Sequence, residues 1–217
     1  MSLKHQMARK EIIDASLAIL KSSLVIGTWG NLSVRIIGED LVAITPSGVD
    51  YEKLLPENIP IVDLEGNLID GNMKPSTELP LHLEIYKNRN DINAIVHTHS
   101  VYCTAMAIAR KPIPASSEDL VQIVGGDVRV SEYRLPGSAD LGKVVVEALE
   151  GRQAVIMANH GLLAAGSTLK ETMKIALICE KSAQATLLAA NIGGAIELSE
   201  EDCHFMRDFY LHKYGQR

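Results

Sequence analysis

The chain has 217 residues, and its 47% hydrophobic share can fill a sizeable core, which excludes a disordered or fibrous protein. Lys and Arg number 21 against 27 Asp and Glu, and the net charge of -6 offers no electrostatic footprint for nucleic acid or an anionic membrane. Aromatic residues make up only 4%, which excludes the stacking surfaces of single-strand nucleic-acid binders.

Hydrophobic periodicity and turn residues predict alternating helices and strands along the chain. In chain order, the patterns predict a helix over 6–22, hairpins over 31–45 and 61–69, a helix opened by Pro75-Ser-Thr-Glu, a strand over 94–99, a helix over 101–110, a strand over 128–133, a helix over 138–149, strands over 154–158 and 162–166, and a helix over 169–191. Ser76 or Thr77 is positioned to cap the helix that follows Pro75.

The balance of strands and helices indicates the fold class. Strands outnumber the helical crossovers that a purely parallel sheet requires, so the sheet should be mixed or mainly antiparallel. No linker or internal repeat divides the chain. We therefore expect a single α/β domain over residues 1–217, with helices flanking a central sheet.

Cysteine usage and the amino-terminal segment bear on the compartment. Cys103, Cys179 and Cys203 are far apart and odd in number, which suggests neither a disulfide framework nor a thiolate zinc site. Residues 1–23 are charged and amphipathic, unlike a signal peptide. The most apolar windows are too interrupted to span a bilayer. We expect a soluble cytoplasmic protein without a membrane partner.

Three histidines and one glutamate are candidate metal ligands. His97 and His99 lie two apart on a predicted strand, so both side chains should point to the same face. His160 follows a buried strand and precedes Gly161 at a tight turn. With Glu78 these residues match the nitrogen and oxygen ligands of a catalytic zinc or similar ion, although hydrogen-bonded core histidines and a helix-start carboxylate are the alternatives.

The remaining histidines lack comparable neighbours in the sequence. We interpret them as surface or hydrogen-bonded core residues: His5, His82, His204 and His212.

Three short polar segments could hold a phosphate through backbone N–H groups and hydroxyls. They are Gly27-Thr-Trp-Gly-Asn-Leu-Ser, Thr45-Pro-Ser-Gly and Pro75-Ser-Thr-Glu. The third is the clearest case, because Ser76 and Thr77 would present free amides at a helix N-terminus. Each segment alone could also be an ordinary turn.

The order of these motifs resembles the class II aldolase/adducin-head family, in particular its L-fuculose-1-phosphate aldolase type. The resemblance spans nearly the whole chain. It rests on Gly27-Thr-x-Gly-Asn-x-Ser, Thr45-Pro-Ser-Gly-x-x-Tyr51, Pro75-Ser-Thr-Glu78, His97-Thr-His99, Asn159-His160-Gly161 and Lys213-Tyr214-Gly215.

The resemblance implies a three-layer fold, a homotetramer with active sites between subunits, and specific roles for residues. It makes Glu78, His97, His99 and His160 the ligands of Zn²⁺, with Mn²⁺ or Co²⁺ as alternatives. The substrate phosphate would be held by Thr28, Gly30, Asn31, Ser47, Gly48, Ser76 and Thr77. Glu78 would also move a proton at the substrate carbon, and Tyr214, on a mobile tail, would protonate the aldehyde oxygen.

One stretch departs from the fuculose type. After Ile113-Pro the chain has acidic residues, Glu118 and Asp119, where that type has a substrate-facing tyrosine. Other members of the family use an acidic residue in this region as a catalytic acid or base. Either carboxylate could do so here, or both could be ordinary helix-start residues.

The implied reaction is the reversible cleavage of a ketose 1-phosphate, L-fuculose 1-phosphate or a related deoxy sugar, into dihydroxyacetone phosphate and an aldehyde. A divalent cation that chelates the carbonyl and hydroxyl oxygens would stabilise the enediolate, so no Schiff-base lysine is required. Two relatives remain as alternatives, a pentulose-5-phosphate 4-epimerase and a methylthioribulose-1-phosphate dehydratase. A non-catalytic head domain is the alternative from another class, and the four matched ligands argue against it.

Overall fold

Short apolar runs pair side by side into one eight-stranded sheet. The computed structural model describes residues 5–216. The strands are β1 Gly30–Ile36, β2 Leu41–Ile44, β3 Ile61–Asp63, β4 Leu68–Asp70, β5 Ala94–Thr98, β6 Arg129–Ser131, β7 Ala154–Met157 and β8 Gly161–Gly166. Their order across the sheet is β4-β3-β2-β1-β5-β8-β7-β6. Neighbouring strands run antiparallel except β6 and β7, which confirms the predicted mixed sheet.

Within residues 5–216, seven helices connect and cover these strands. They are α1 Gln6–Lys21, α2 Leu79–Asn88, α3 Val101–Ala109, α4 Glu118–Val124, α5 Ala139–Ala148, α6 Leu169–Ala189 and α7 Glu200–His212. Short 3₁₀ turns occupy Tyr51–Lys53, Pro56–Asn58 and Ala190–Ile192. Side-chain caps fix several starts: the Thr168 hydroxyl, for example, accepts a hydrogen bond from the Glu171 amide at the start of α6. No helix in the described part of the chain is long and apolar enough to cross a membrane.

Two hydrophobic clusters form on opposite faces of the sheet and give three layers. One face packs against α1, α3, α4 and α6, and the other against α2 and α5. The alternation is visible in β5, where Val96 lies in the first cluster and Ile95 in the second. The single α/β domain is confirmed over the described residues, while residues 1–4 and 217 of the predicted domain lie outside them.

Helices α4 and α7 have no counterpart among the helices predicted from hydrophobic periodicity. Helix α7 packs on α4 around Cys203 and Val121. The guanidinium group of Arg207 in α7 donates hydrogen bonds to the Gln122 and Ile123 carbonyls at the end of α4, at 2.7 and 2.9 Å. These contacts join segments about 85 residues apart, so a local sequence pattern gives no sign of them.

The antiparallel order brings the ends of three neighbouring central strands to the same end of the sheet. Strand β5 lies between β1 and β8. Asn31 at the start of β1 pairs with His97 at the end of β5, and Leu162 at the start of β8 pairs with Thr98. Side chains that are distant in sequence therefore meet at the carboxyl end of β5.

Candidate active site

Three imidazole rings converge beyond the end of β5. The ligand nitrogens of His97, His99 and His160 all lie within 4.8 Å of one another. The Nε2 atoms of His97 and His99 are 2.9 Å apart, as the two-residue spacing predicted. His97 Nδ1 donates a hydrogen bond of 2.9 Å to the Leu162 carbonyl, which leaves an unprotonated Nε2 turned toward the other rings.

The Glu78 carboxylate completes this cluster from the start of α2. Its Oε1 lies 3.1 Å from His160 Nε2, and its Oε2 lies 3.4 Å from His97 Nε2. The Asn31 side-chain amide donates a 3.0 Å hydrogen bond to Oε2. Glu78 is only 6% exposed. A buried carboxylate and three imidazoles therefore face one another.

The ionisation states of these groups suit a cation. Burial raises the pKa of the Glu78 carboxyl, but His97, His160 and Asn31 together hold that pKa well below its usual range. Burial lowers the pKa of His97 to about 3 and also lowers that of His99. At neutral pH the carboxylate is charged and these two rings are neutral, which is the state in which carboxylate and imidazole bind metals.

A tight turn between β7 and β8 delivers His160. Asn159 adopts a left-handed conformation with φ 57°, which asparagine tolerates better than most residues. The Asn159 amide donates to the Ala107 carbonyl, and the His160 amide donates to the Met157 carbonyl. The Nδ1 atom of His160 is buried and has no hydrogen-bond partner among the described residues. The Nε2 atom of the same ring faces Glu78, and with the close nitrogens of the other two imidazoles it fits a metal with nitrogen and oxygen ligands.

The predicted phosphate segments are brought side by side next to the cluster. Pro46 and Pro75 form an isolated antiparallel bridge. The Ser47 amide donates to the Lys74 carbonyl, and the Ser76 amide donates to the Thr45 carbonyl, each at 3.0 Å. The first segment joins them because Thr45 also pairs with Leu32 of β1 through hydrogen bonds.

Exposure divides the predicted phosphate ligands. Thr28, Ser47, Gly48 and Thr77 are exposed, Gly30 is half-buried, and Asn31 and Ser76 are buried.

The start of α2 corrects one prediction. The helix begins at Leu79, and its N-cap residue is Glu78, without a side-chain capping bond. Neither Ser76 nor Thr77 is therefore the cap, and the Ser76 amide is not free. The Ser76 hydroxyl instead accepts a hydrogen bond from the Glu78 amide at 3.2 Å. The bridge of Pro75 to Pro46 keeps this segment extended and delays the helix.

Comparisons with known proteins agree with this arrangement. The family described as Class II Aldolase and Adducin N-terminal domain matches residues 10–187. The chain belongs to this family.

Two curated relatives and one solved structure are similar over most of their length. A 5-deoxy-D-ribulose 1-phosphate aldolase from Bacillus thuringiensis serovar kurstaki is 37% identical, over 98% of this chain and 99% of the relative. A 5-methylthioribulose-1-phosphate/5-deoxyribulose-1-phosphate aldolase from Rhodospirillum rubrum is 40% identical, over 81% and 78%. A structure of an L-fuculose 1-phosphate aldolase is 36% identical with a TM-score of 0.93, covering 96% of this chain and 98% of that one. The chain is thus a class II aldolase.

The structure places Tyr214 of this aldolase away from its own histidine cluster. The Tyr214 ring stacks on Tyr210 of α7, with centroids 5.5 Å apart, and lies near the Lys174 amine of α6. Lys174 is in the second turn of α6, which follows the far end of β8. Tyr214 is 54% exposed and therefore accessible from outside the chain.

Glu118 and Asp119 are the first two residues of α4 and lie outside the histidine cluster. The Asp119 carboxylate forms an ion pair with the Lys181 amine of α6, and this pairing holds its pKa below the usual range although burial opposes it. Glu118 is exposed. Neither residue belongs to the group of histidines described above.

Two residues beside the site were not assigned a role from the sequence. His82 is fully buried and its Nε2 lies 2.5 Å from Asn31 Oδ1, so it is connected to Glu78 through one side chain. Glu180 of α6 accepts hydrogen bonds from the Ser100 hydroxyl and from the Tyr102 and Cys103 amides, and so fixes the segment after His99. The spacing of Glu78 and His82, four apart on a helix, was the available signal for His82.

Gly161 leaves the space in which the rings of His97 and His99 pack, and this gives a testable prediction. A Cβ at this position would lie 2.4 Å from the Thr98 carbonyl oxygen and within 3.4 Å of the rings of His97 and His99. We expect Gly161→Ala to lower the free energy of unfolding by about 1–3 kcal/mol and to weaken Co²⁺ binding, because backbone and both rings must shift. Thermal unfolding and calorimetric titration measure the two effects.

The matched control for Gly161 is Gly166→Ala at the other end of the same strand. There the nearest atom is the Thr172 hydroxyl, a side chain far from the histidines, at 2.8 Å. Stability should fall while Co²⁺ affinity is retained. Equal Co²⁺ affinities in both variants would contradict the prediction.

Proposed function

We propose that this class II aldolase uses a divalent metal to cleave a ketose 1-phosphate reversibly into dihydroxyacetone phosphate and an aldehyde. L-Fuculose 1-phosphate or a related deoxy sugar is the proposed substrate. The observation that carries the proposal is the meeting of Glu78 with three imidazoles beside the turns at Ser47 and Ser76. The relatives are named as aldolases of 5-deoxyribulose 1-phosphate and L-fuculose 1-phosphate, and these names support the substrate class.

Glu78, His97, His99 and His160 would hold the cation, with Zn²⁺ as the proposed metal and Mn²⁺ or Co²⁺ as alternatives. Three nitrogens and one carboxylate oxygen form a catalytic zinc ligand set. When bound, the cation would polarise the ketose carbonyl and the adjacent hydroxyl oxygen. The Leu162 carbonyl, by accepting the His97 Nδ1 proton, keeps the Nε2 lone pair directed into the site.

Glu78 would also carry a proton to and from the substrate carbon. In condensation it would remove a proton from C3 of dihydroxyacetone phosphate, and in cleavage it would return that proton to C3. Its low pKa favours the ionised form that accepts the proton. Its Oε1 lies against His160 and its Oε2 against His97, and the Asn31 amide, which donates to Oε2, would hold the carboxylate in place while it takes up or returns the proton.

The phosphate would bind over the joined turns. We propose Thr28, Gly30, Ser47, Gly48 and Thr77 for this role because all five reach the surface next to the cluster. Asn31 and Ser76, also proposed, lie beneath these residues. The Asn31 amide has a second N–H beyond the one given to Glu78, so both contacts are chemically possible.

Tyr214 would act in the active site of a neighbouring subunit of a homotetramer, where it would give a proton to the aldehyde oxygen in condensation. Its exposure and its position far from its own histidines support action between subunits.

Glu118, which is exposed, and Asp119, which is paired with Lys181, are proposed as further acid or base groups. A cytoplasmic location stays a prediction.

The test is release of dihydroxyacetone phosphate from a panel of ketose 1-phosphates. The panel contains L-fuculose 1-phosphate, 5-deoxyribulose 1-phosphate and 5-methylthioribulose 1-phosphate, each offered to metal-loaded and to chelated enzyme. We expect metal-dependent release from at least one sugar and restoration of activity when metal is returned, because the four ligands are needed together.

Other products would redirect the proposal. An epimerised pentulose 5-phosphate without a free aldehyde would indicate the 4-epimerase. Loss of water from 5-methylthioribulose 1-phosphate would indicate the dehydratase. Equal release by loaded and chelated enzyme would remove the metal from the mechanism.

A further inference from the structure

A chain of buried hydrogen bonds leads from the interior to Glu78. The Tyr86 hydroxyl lies 2.8 Å from the Ser33 hydroxyl, which lies 2.7 Å from His82 Nδ1. On the other side of the same ring, His82 Nε2 lies 2.5 Å from Asn31 Oδ1, and Asn31 Nδ2 lies 3.0 Å from Glu78 Oε2. All five residues are buried between β1 and α2.

The chemistry of these groups gives the chain one direction. The ionised Glu78 carboxylate can only accept, so the Asn31 NH₂ group must donate to it and the Asn31 carbonyl must face His82. His82 Nε2 therefore carries the proton, and its Nδ1 accepts from the Ser33 hydroxyl. The ring is fully buried and its nitrogens contact only a hydroxyl and an amide oxygen, so it is neutral and has a single N–H.

We propose that His82 is a positioning residue that acts through Asn31 to fix the orientation of the Glu78 carboxylate. This inference rests on the proposed function, since it assigns a role to His82 in the same metal site. Without a donor at the position of His82 Nε2, the buried Asn31 carbonyl loses its partner. The Asn31 amide can then rotate and turn its oxygen toward the carboxylate, which repels it and displaces Oε2 from His97.

Two conservative variants separate positioning from a purely structural role. In His82→Gln, the side-chain NH₂ reaches the place of Nε2 and can still donate to Asn31. In His82→Asn, the shorter side chain reaches only the place of Nδ1, where it can still accept from Ser33. Each variant keeps one half of the chain, so both should be affected similarly in folding.

The experiment is calorimetric titration of each variant with Co²⁺, together with thermal unfolding. Residues that orient metal ligands through hydrogen bonds typically contribute 10- to 100-fold to metal affinity or activity. We expect His82→Asn and His82→Leu to weaken Co²⁺ binding by about 10-fold or more. His82→Gln should recover most of this loss. If the Asn variant binds as wild type does, or if Gln and Asn lose affinity equally, His82 is structural and the proposal is wrong.

A second background tests whether His82 acts through Glu78. In Glu78→Ala the carboxylate is absent, so adding His82→Asn should cause no further loss of Co²⁺ affinity. An undiminished additional loss would show that His82 acts by another route and would overturn the proposal.

The same titrations distinguish this inference from the proposed function. If wild type binds Co²⁺ but releases no dihydroxyacetone phosphate, the proposed reaction fails while the affinities of the His82 variants still decide the positioning role. If wild type binds no Co²⁺, both proposals are overturned.

Discussion

Glu78→Gln is expected to lower kcat for dihydroxyacetone phosphate release by about 10²- to 10⁴-fold, the usual contribution of a general acid–base group. Glutamine keeps the shape of the side chain and can still accept the Asn31 hydrogen bond, but it can neither bind a cation as an anion nor carry a proton. The fold should persist, because the change is nearly isosteric. Steady-state kinetics with the panel's best sugar measures the effect.

The matched control for Glu78 is Glu84→Gln on the same helix. Glu84 lies six positions after Glu78, is half-buried, and accepts a side-chain hydrogen bond from Asn88. Its kcat should be close to that of wild type. A Glu78→Gln enzyme with kcat within about threefold of wild type would rule out Glu78 as the proton carrier, since acid–base groups contribute far more.

His97→Asn is expected to weaken Co²⁺ or Zn²⁺ binding by on the order of 100-fold or more, since it would remove a proposed ligand itself and not a residue that hydrogen-bonds to one. The asparagine amide can replace His97 Nδ1 and donate to the Leu162 carbonyl, so the strand pairing at this edge is preserved. Nε2, the proposed ligand atom, is lost. Activity at low metal concentration should fall in parallel, and excess metal should restore part of it.

A surface histidine provides the comparison for His97. His204 is exposed on α7, so His204→Asn should leave metal affinity and activity unchanged. Calorimetry on the two variants and wild type is sufficient. Unchanged affinity in His97→Asn would remove this residue from the ligand set.

The sequence predicted the parts of the fold that have strong local signals. Strand alternation and apolar runs predicted β5, β7 and β8, and the positions of His97 and His160 at strand ends followed from them. The four candidate ligands lie together in the structure. The resemblance had grouped them, whereas local patterns do not connect their segments, and their role as ligands stays a prediction.

Long-range contacts explain what was missed. Helix α7 buries only Cys203 and is held by Arg207 on the α4 carbonyls, so its own periodicity carries little signal. The prediction that Ser76 or Thr77 caps α2 was wrong because Pro46, distant in sequence, pairs with Pro75 and the helix begins only at Leu79. His82 was interpreted as a surface or hydrogen-bonded core residue, because its neighbour Asn31 is 51 positions away and no local pattern connects the two.

The position of β5 between β1 and β8 also bears on the order of folding. The β1–β2 and β7–β8 hairpins join residues close in sequence, whereas β5 pairs on both sides with residues 60 or more positions away. Non-local pairing is the slow part of folding because a long loop must close first. The histidine cluster therefore forms only when both halves of the sheet pair with β5, and the two hairpins by themselves do not assemble the site.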